Sequence, residues 1–207
     1  MMASTDPTLA AIAAKSEKES AYHLRHAAKK DTRLFLEDAD YKSFILTLSY
    51  YLRFPGGTPL SWVPRMNPKT LAARQGTAKH HGRLPCTLRA FLLLPDHFHL
   101  VLTEHQGNKK PGISELMRRL SVGYAMTYRQ KYGGVGTIYQ GKYKMIMLGT
   151  DASSLATHLH AHDGVNTTYL RDPLHSSLPD YESVSRPWLT PLESPITSDF
   201  SPRLILE

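Results

Sequence analysis

The stretch Ala90 to Glu104 reads Ala-Phe-Leu-Leu-Leu-Pro-Asp-His-Phe-His-Leu-Val-Leu-Thr-Glu, and it leaves little freedom of fold. Two apolar runs flank a Pro95-Asp96 break, the pattern of two strands around a turn. The second run carries His97 and His99. Side chains along a strand alternate faces, so both imidazoles point the same way, about 7 Å apart. Phe98, Leu100 and Leu102 point the opposite way, into a core. Two imidazoles side by side on a rigid strand can hold a divalent metal. A His-apolar-His triplet also occurs as two partly buried polar residues with no ligand, so its setting has to decide.

Composition narrows the setting. The chain has 207 residues, enough for one domain with appendages, and a formal net charge of +7 with its 11 histidines neutral. That balance suits a polyanion, nucleic acid first and an acidic membrane surface second. Cys86 is the single cysteine, which excludes an intrachain disulfide and a cysteine-based zinc cluster. A reducing, cytoplasmic location fits. No apolar run nears the roughly 20 residues of a membrane span. Residues 1–14 have no basic segment ahead of an apolar one, so neither a signal peptide nor a membrane partner is expected.

Three regions are expected: a flexible arm over 1–19, a domain over 20–172, and a Ser/Pro-rich tail over 173–207 that wraps the domain or trails from it. Tyr22 to His26 predicts a strand. Asp38 to Leu52 predicts a helix capped by Asp38, with Tyr41, Phe44, Ile45, Leu48 and Leu52 at helical spacing. Residues 54–85 combine seven basic or histidine side chains with many Pro and Gly. They read as a basic loop insertion with a short helix at Pro68 to Arg74, either a solvated insertion or a nucleic-acid contact. Strands Cys86 to Leu94 and His97 to Thr103 follow. Ile113 to Tyr132 predicts a second helix, capped by Ser114 and ended by Gly133 to Gly136. Thr137 to Leu148 enters another strand, and Asp151 to about His162 predicts a third helix. The order implies an α+β fold, a small antiparallel sheet with helices on one face.

Several segments together resemble the HUH single-strand DNA transposases, in the branch of the REP-associated tyrosine transposases. They are Tyr22-His-Leu with Asp31 to Phe44; Leu94-Pro-Asp-His-Phe-His-Leu-Val-Leu102; Ile113 to Leu120 with Tyr124, Tyr128 and Gly136 to Lys144; and Ser176 to Tyr181 with Trp188-Leu189. The resemblance covers about residues 20–190. It implies a ferredoxin-like sheet with His97-Phe98-His99, the HUH element, on a central strand. It implies Mg²⁺ or Mn²⁺, single-stranded or hairpin DNA as substrate, and a homodimer. It also implies a tyrosine nucleophile on the last helix, forming a 5′-phosphotyrosine, with a third metal ligand one turn further on.

The sequence departs from that pattern where the nucleophile belongs. No tyrosine stands between Tyr143 and Tyr169; the expected position falls at His158, Leu159 or His160. Helical spacing puts His158 and His162 on one face at i and i+4. With His97 and His99 they make a candidate four-histidine set, for which zinc or another transition metal is plausible. Tyr169 is a candidate nucleophile after a local shift. The alternatives are that the tyrosine is lost, leaving a catalytically silent DNA-binding regulator, or that a histidine such as His158 attacks phosphorus. Tyr124 and Tyr128 fit core packing better than attack. Arg118, Arg119, Arg129, Lys131, Lys142 and Lys144 are candidate phosphate contacts, aided by Arg25, Lys29 and Lys30. Tyr139 or Tyr143 is a candidate platform for unpaired bases. The same basic surface would also suit RNA.

Overall fold

A computed structural model describes residues 19–54, 58–70, 86–105, 112–148, 159, 162, 164–183 and 185–190. Strand β1 (Glu19–Ala27) leads to helix α1 (Asp38–Arg53), then strands β2 (Cys86–Leu94) and β3 (His97–His105). Helix α2 (Gly112–Tyr132), strand β4 (Lys144–Leu148) and two short helices, α3 (Thr167–Arg171) and α4 (Leu178–Glu182), complete the order. The four strands form one sheet in the order β2-β3-β1-β4, and every pairing is antiparallel. A β-α-β-β-α-β chain with that strand order is ferredoxin-like. The histidine-bearing strand β3 is central, between β2 and β1.

Alternation along the strands makes two chemically different faces. Leu24, Leu88, Phe91, Leu93, Phe98, Leu100 and Leu102 share one cluster with Phe44 and Leu48 of α1 and Leu116, Leu120 and Tyr124 of α2. Both long helices therefore cover the same face. Gly123 allows their close approach, since a Cβ there would lie 3.3 Å from both Thr47 and the Tyr51 ring. A register shift between Leu88 and Ala90 turns Ala90, Leu92 and Leu94 onto the other face.

The helix starts differ from the sequence expectation. Asp38 is the first helical residue of α1, with Glu37 at the N-cap. Asp40, in the first turn, does the capping: its carboxylate accepts the Leu36 N–H at 2.8 Å and the Glu37 N–H at 3.1 Å. Ser114 lies inside α2 and does not cap it. The Glu104 carboxylate of β3 accepts the Ile113 N–H at 3.1 Å instead, a partner 9 residues upstream that local spacing cannot reveal. Gly133, at φ 75°, ends α2, and its N–H bonds the Arg129 carbonyl at 2.8 Å.

The chain after α3 runs along the outer edge of β2. Leu93 N–H donates to the His175 carbonyl at 2.7 Å, Ser177 N–H to the Phe91 carbonyl at 3.0 Å, and Thr190 N–H to the Leu88 carbonyl at 3.0 Å. Ser176 and Ser177 are wholly buried. The pairing satisfies backbone groups that an edge strand leaves open. Of the 54–85 loop, Leu60–Arg65 forms a 3₁₀ turn and residues 68–70 are helical, while 55–57 and 71–85 lie outside the described residues.

Phe98 is the pivot of the core face: it is fully buried, with its ring 4.8 Å from Phe44 and 5.8 Å from His26. Phe98→Ala is expected to cost about 3–5 kcal/mol of unfolding free energy, measured by urea denaturation. A loss below about 1 kcal/mol would contradict this packing.

Candidate metal centre

Because Phe98 points into the core, its neighbours His97 and His99 stand on the opposite sheet face. The register places them beside Leu94 and Leu92 of β2 and beside Ala27 and Arg25 of β1. A third imidazole comes from the chain after β4. Leu159 is buried against Ala90 and Val101 on this face, three residues before His162 in the chain. The His162 ring lies 6.0 Å from His97 and 5.3 Å from His99, and those two rings are 5.0 Å apart.

One nitrogen from each of His97, His99 and His162 lies within 4.8 Å of the others. A tetrahedral ion with bonds of about 2.0–2.1 Å needs donors about 3.3 Å apart, so modest ring rotations close the set. The hydrogen-bond pattern leaves suitable atoms. His97 Nδ1 lies 2.7 Å from the Asp96 carboxylate, which holds the ring and directs Nε2 outward as donor. His99 Nδ1 lies 2.8 Å from His23 Nε2. His99 Nε2 is buried with no hydrogen-bond partner, a costly state unless something binds it. These residues fit a metal.

Burial keeps His97 and His99 neutral, as ligation requires. Desolvation, reinforced by the charges of His23, His97, His162 and Arg25, pushes His99 down to about 2. His97 is lowered too, because burial outweighs the pull of Asp96. The disagreement with an exposed histidine's usual value near 6.5 is thus mainly one of solvent access.

The basic candidates divide between the two sides of the sheet. Lys144 of β4 is exposed and pairs in register with Arg25, which in turn pairs with His99. Lys142 is exposed just before β4. These cations lie close in the strand order to the histidine face. Arg118, Arg119, Arg129 and Lys131 are on α2, across the sheet. Arg118 and Arg119 bind the Glu115 carboxylate at 2.7 and 2.6 Å, and Lys131 binds Glu37 and Asp40 at 2.5 and 2.6 Å. Tyr139 is buried and stacked on His26 with ring centroids 4.1 Å apart, so it is no platform for bases. Tyr143 is half-buried beside the same histidine. Tyr124 is core, its hydroxyl donating to the Leu34 carbonyl at 2.6 Å.

Tyr169 is the third residue of α3 and packs among Leu92, Leu94, Leu170 and Leu178. Its hydroxyl donates to the Leu93 carbonyl at 2.7 Å and lies 3.2 Å from the Tyr41 hydroxyl. Its ring stacks on His175 with centroids 4.0 Å apart. Burial, with the Tyr41 contact, raises its pKa above the ordinary phenol value. His158 and most of the expected third helix lie outside the described residues.

Sequence reasoning passed over His23 and Asp96 as site residues. A signal existed for both: Asp96 adjoins His97, and His23 and Arg25 alternate along β1. The missing piece was the β1–β3 register. Among the described residues no helix is long and apolar enough to cross a membrane.

No protein-family model matches the chain, and no curated protein matches it. Among solved structures it is similar to a REP-associated tyrosine transposase bound to a REP hairpin. The identity is 14%, the TM-score 0.47, and the match covers 78% of each chain. A likeness of that degree carries no weight for function.

The site generates two expectations. Zn²⁺ or Co²⁺ should bind with one-to-one stoichiometry in calorimetry, and His162→Ala should weaken binding at least about tenfold; equal affinity would remove His162 from the centre. The second concerns metal-free protein. The unfolded state protonates His99 near pH 6.5, whereas the folded state does so only near pH 2. Between those values the unfolded state holds the extra proton, so stability falls as pH drops below about 6.5. From pH 7.5 to 5 the loss attributable to His99 is about 2 kcal/mol. His99→Phe should remove that share from urea denaturation at the two pH values; an unchanged pH difference would refute the buried neutral imidazole.

Proposed function

We propose that this chain is a metal-dependent DNA-processing protein of the HUH kind, a nuclease and strand transferase on single-stranded or hairpin DNA. The observation that carries this reading is the convergence of His97, His99 and His162 on one sheet face. The ferredoxin-like topology, the HUH strand at the sheet centre and the basic charge support it. His97, His99 and His162 would hold the metal, and His158 joins them by its spacing. An all-imidazole set suits a transition metal such as Mn²⁺, Co²⁺ or Zn²⁺ better than Mg²⁺. When bound, the metal supplies charge neutralisation and polarisation at a scissile phosphate.

The chain's own residues have distinct tasks in this reading. Arg25, Lys142 and Lys144 attract the DNA backbone toward the histidine face, and Arg118, Arg119, Arg129 and Lys131 of α2 track flanking phosphates. Tyr169 Oη attacks phosphorus, the bond from phosphorus to the 3′ oxygen breaks, and the phosphoryl group stays on the tyrosine as a 5′-phosphotyrosine. The phenol releases its proton to solvent, and the 3′ oxygen takes one up. Attack by a 3′-hydroxyl reverses the sequence and joins strands without an external energy source. A homodimer follows from the same family resemblance.

One observation favours a second reading, a metal-binding DNA-binding protein that does not cleave. The Tyr169 hydroxyl is engaged by Leu93 and near Tyr41, and its ionisation is disfavoured. Attack requires the phenol to leave that carbonyl. A denaturing gel separates the two. With labelled hairpin-bearing single-stranded DNA and Mn²⁺, cleavage yields a covalent protein–DNA adduct that Tyr169→Phe abolishes. Tight binding without any adduct assigns the silent reading, and an adduct that survives Tyr169→Phe excludes Tyr169 as nucleophile.

A further inference from the structure

His23 occupies a position that the proposed metal chemistry does not explain. It pairs with Val101 while Arg25 pairs with His99, so His23 and His99 are diagonal neighbours on one face of the β1–β3 ladder. Their rings are nearly parallel, at 9°, with centroids 5.1 Å apart. His23 Nε2 and His99 Nδ1 are 2.8 Å apart, a full hydrogen bond. A hydrogen bond between two neutral imidazoles needs a proton on only one of the two nitrogens.

The other side of His99 decides which one. Its Nε2 is buried without a hydrogen-bond partner, on a ring 5.0 Å from His97 and 5.3 Å from His162. A proton on Nε2 would leave a buried donor unsatisfied, whereas a bare Nε2 leaves a lone pair able to ligate. The proton then belongs on Nδ1 and is donated to His23 Nε2. His97 shows the same plan with a different partner, its Nδ1 held by Asp96 at 2.7 Å. In both His97 and His99 one nitrogen is engaged by a neighbour, which leaves the other available to the centre.

We propose that His23 is a positioning residue: its Nε2 accepts the Nδ1–H of His99, fixes that tautomer and orients the His99 Nε2 lone pair toward His97 and His162. The use of that lone pair rests on the metal-centre reading above; the tautomer does not. His23 holds the ring through the β1–β3 register, so the strand pairing that builds the sheet also sets the direction of one ligand.

Two measurements test this. Nitrogen-15 NMR of the metal-free protein reads the His99 tautomer directly. The Nδ1–H form is expected in the wild type, and an Nε2–H form would overturn the proposal. Zn²⁺ calorimetry then compares two variants. His23→Phe keeps a flat ring but removes the acceptor, and affinity should fall about 10–100-fold. His23→Gln restores an acceptor oxygen and should stay within about threefold of the wild type. Equal affinity of His23→Phe and wild type, in protein that keeps its circular dichroism spectrum, would overturn it as well. Should wild-type protein bind no Zn²⁺ at all, the metal reading fails and the NMR tautomer alone decides the role of His23.

Discussion

The pairing of β1 with β3 runs without a register shift from Glu19↔His105 to Ala27↔His97. Nearly everything else in the molecule follows from that ladder. A slip by one residue would move every side chain of a strand to the other face. Phe98, Leu100 and Leu102 would then leave the core, and His97 and His99 would be driven into it. The hydrophobic demand of the core and the geometry of the site are therefore one constraint: burying Phe98 under α1 obliges the two histidines to share the far face. The ladder also sets His23 and Arg25 around His99.

The two faces are managed by different means. The core face is closed by long helices with interlocked aromatic rings, Phe35, Phe44 and Tyr124 among them. Among the described residues, the histidine face is covered by Leu159, α3, α4 and the strip that pairs along β2. His97 and His162 are half-buried there beside a buried His99. Burial disfavours protonation of His97 and His99, which leaves their nitrogens free to ligate. The cations of α2 sit across the sheet and mostly serve local acids, Glu115, Glu37 and Asp40.

The four strands and the two long helices are readable because their periodicities are strong: alternation in β3 and the i, i+3, i+4 repeat of Tyr41, Phe44, Ile45 and Leu48; the short α3 and α4 carry no such pattern. His97 and His99 were readable for the same reason. What pattern could not supply was contact between distant segments. The cap of α2 comes from Glu104 on β3 rather than from Ser114. Tyr139 looked like a surface aromatic beside lysines, yet an isolated bridge between Ala28 and Tyr139 draws it inside. His23 gained its role only through the register, and the environment of Tyr169 depends on the Leu93 carbonyl and Tyr41, both far away in sequence.

The central claim is that three imidazoles from two separate segments bind one ion. X-ray absorption of the zinc-loaded protein tests it most directly, because scattering from the outer ring atoms counts imidazole ligands. The account predicts at least three imidazole nitrogens at about 2.0–2.1 Å, with one imidazole fewer in His162→Ala. A first shell of oxygen atoms with no imidazole contribution would contradict it.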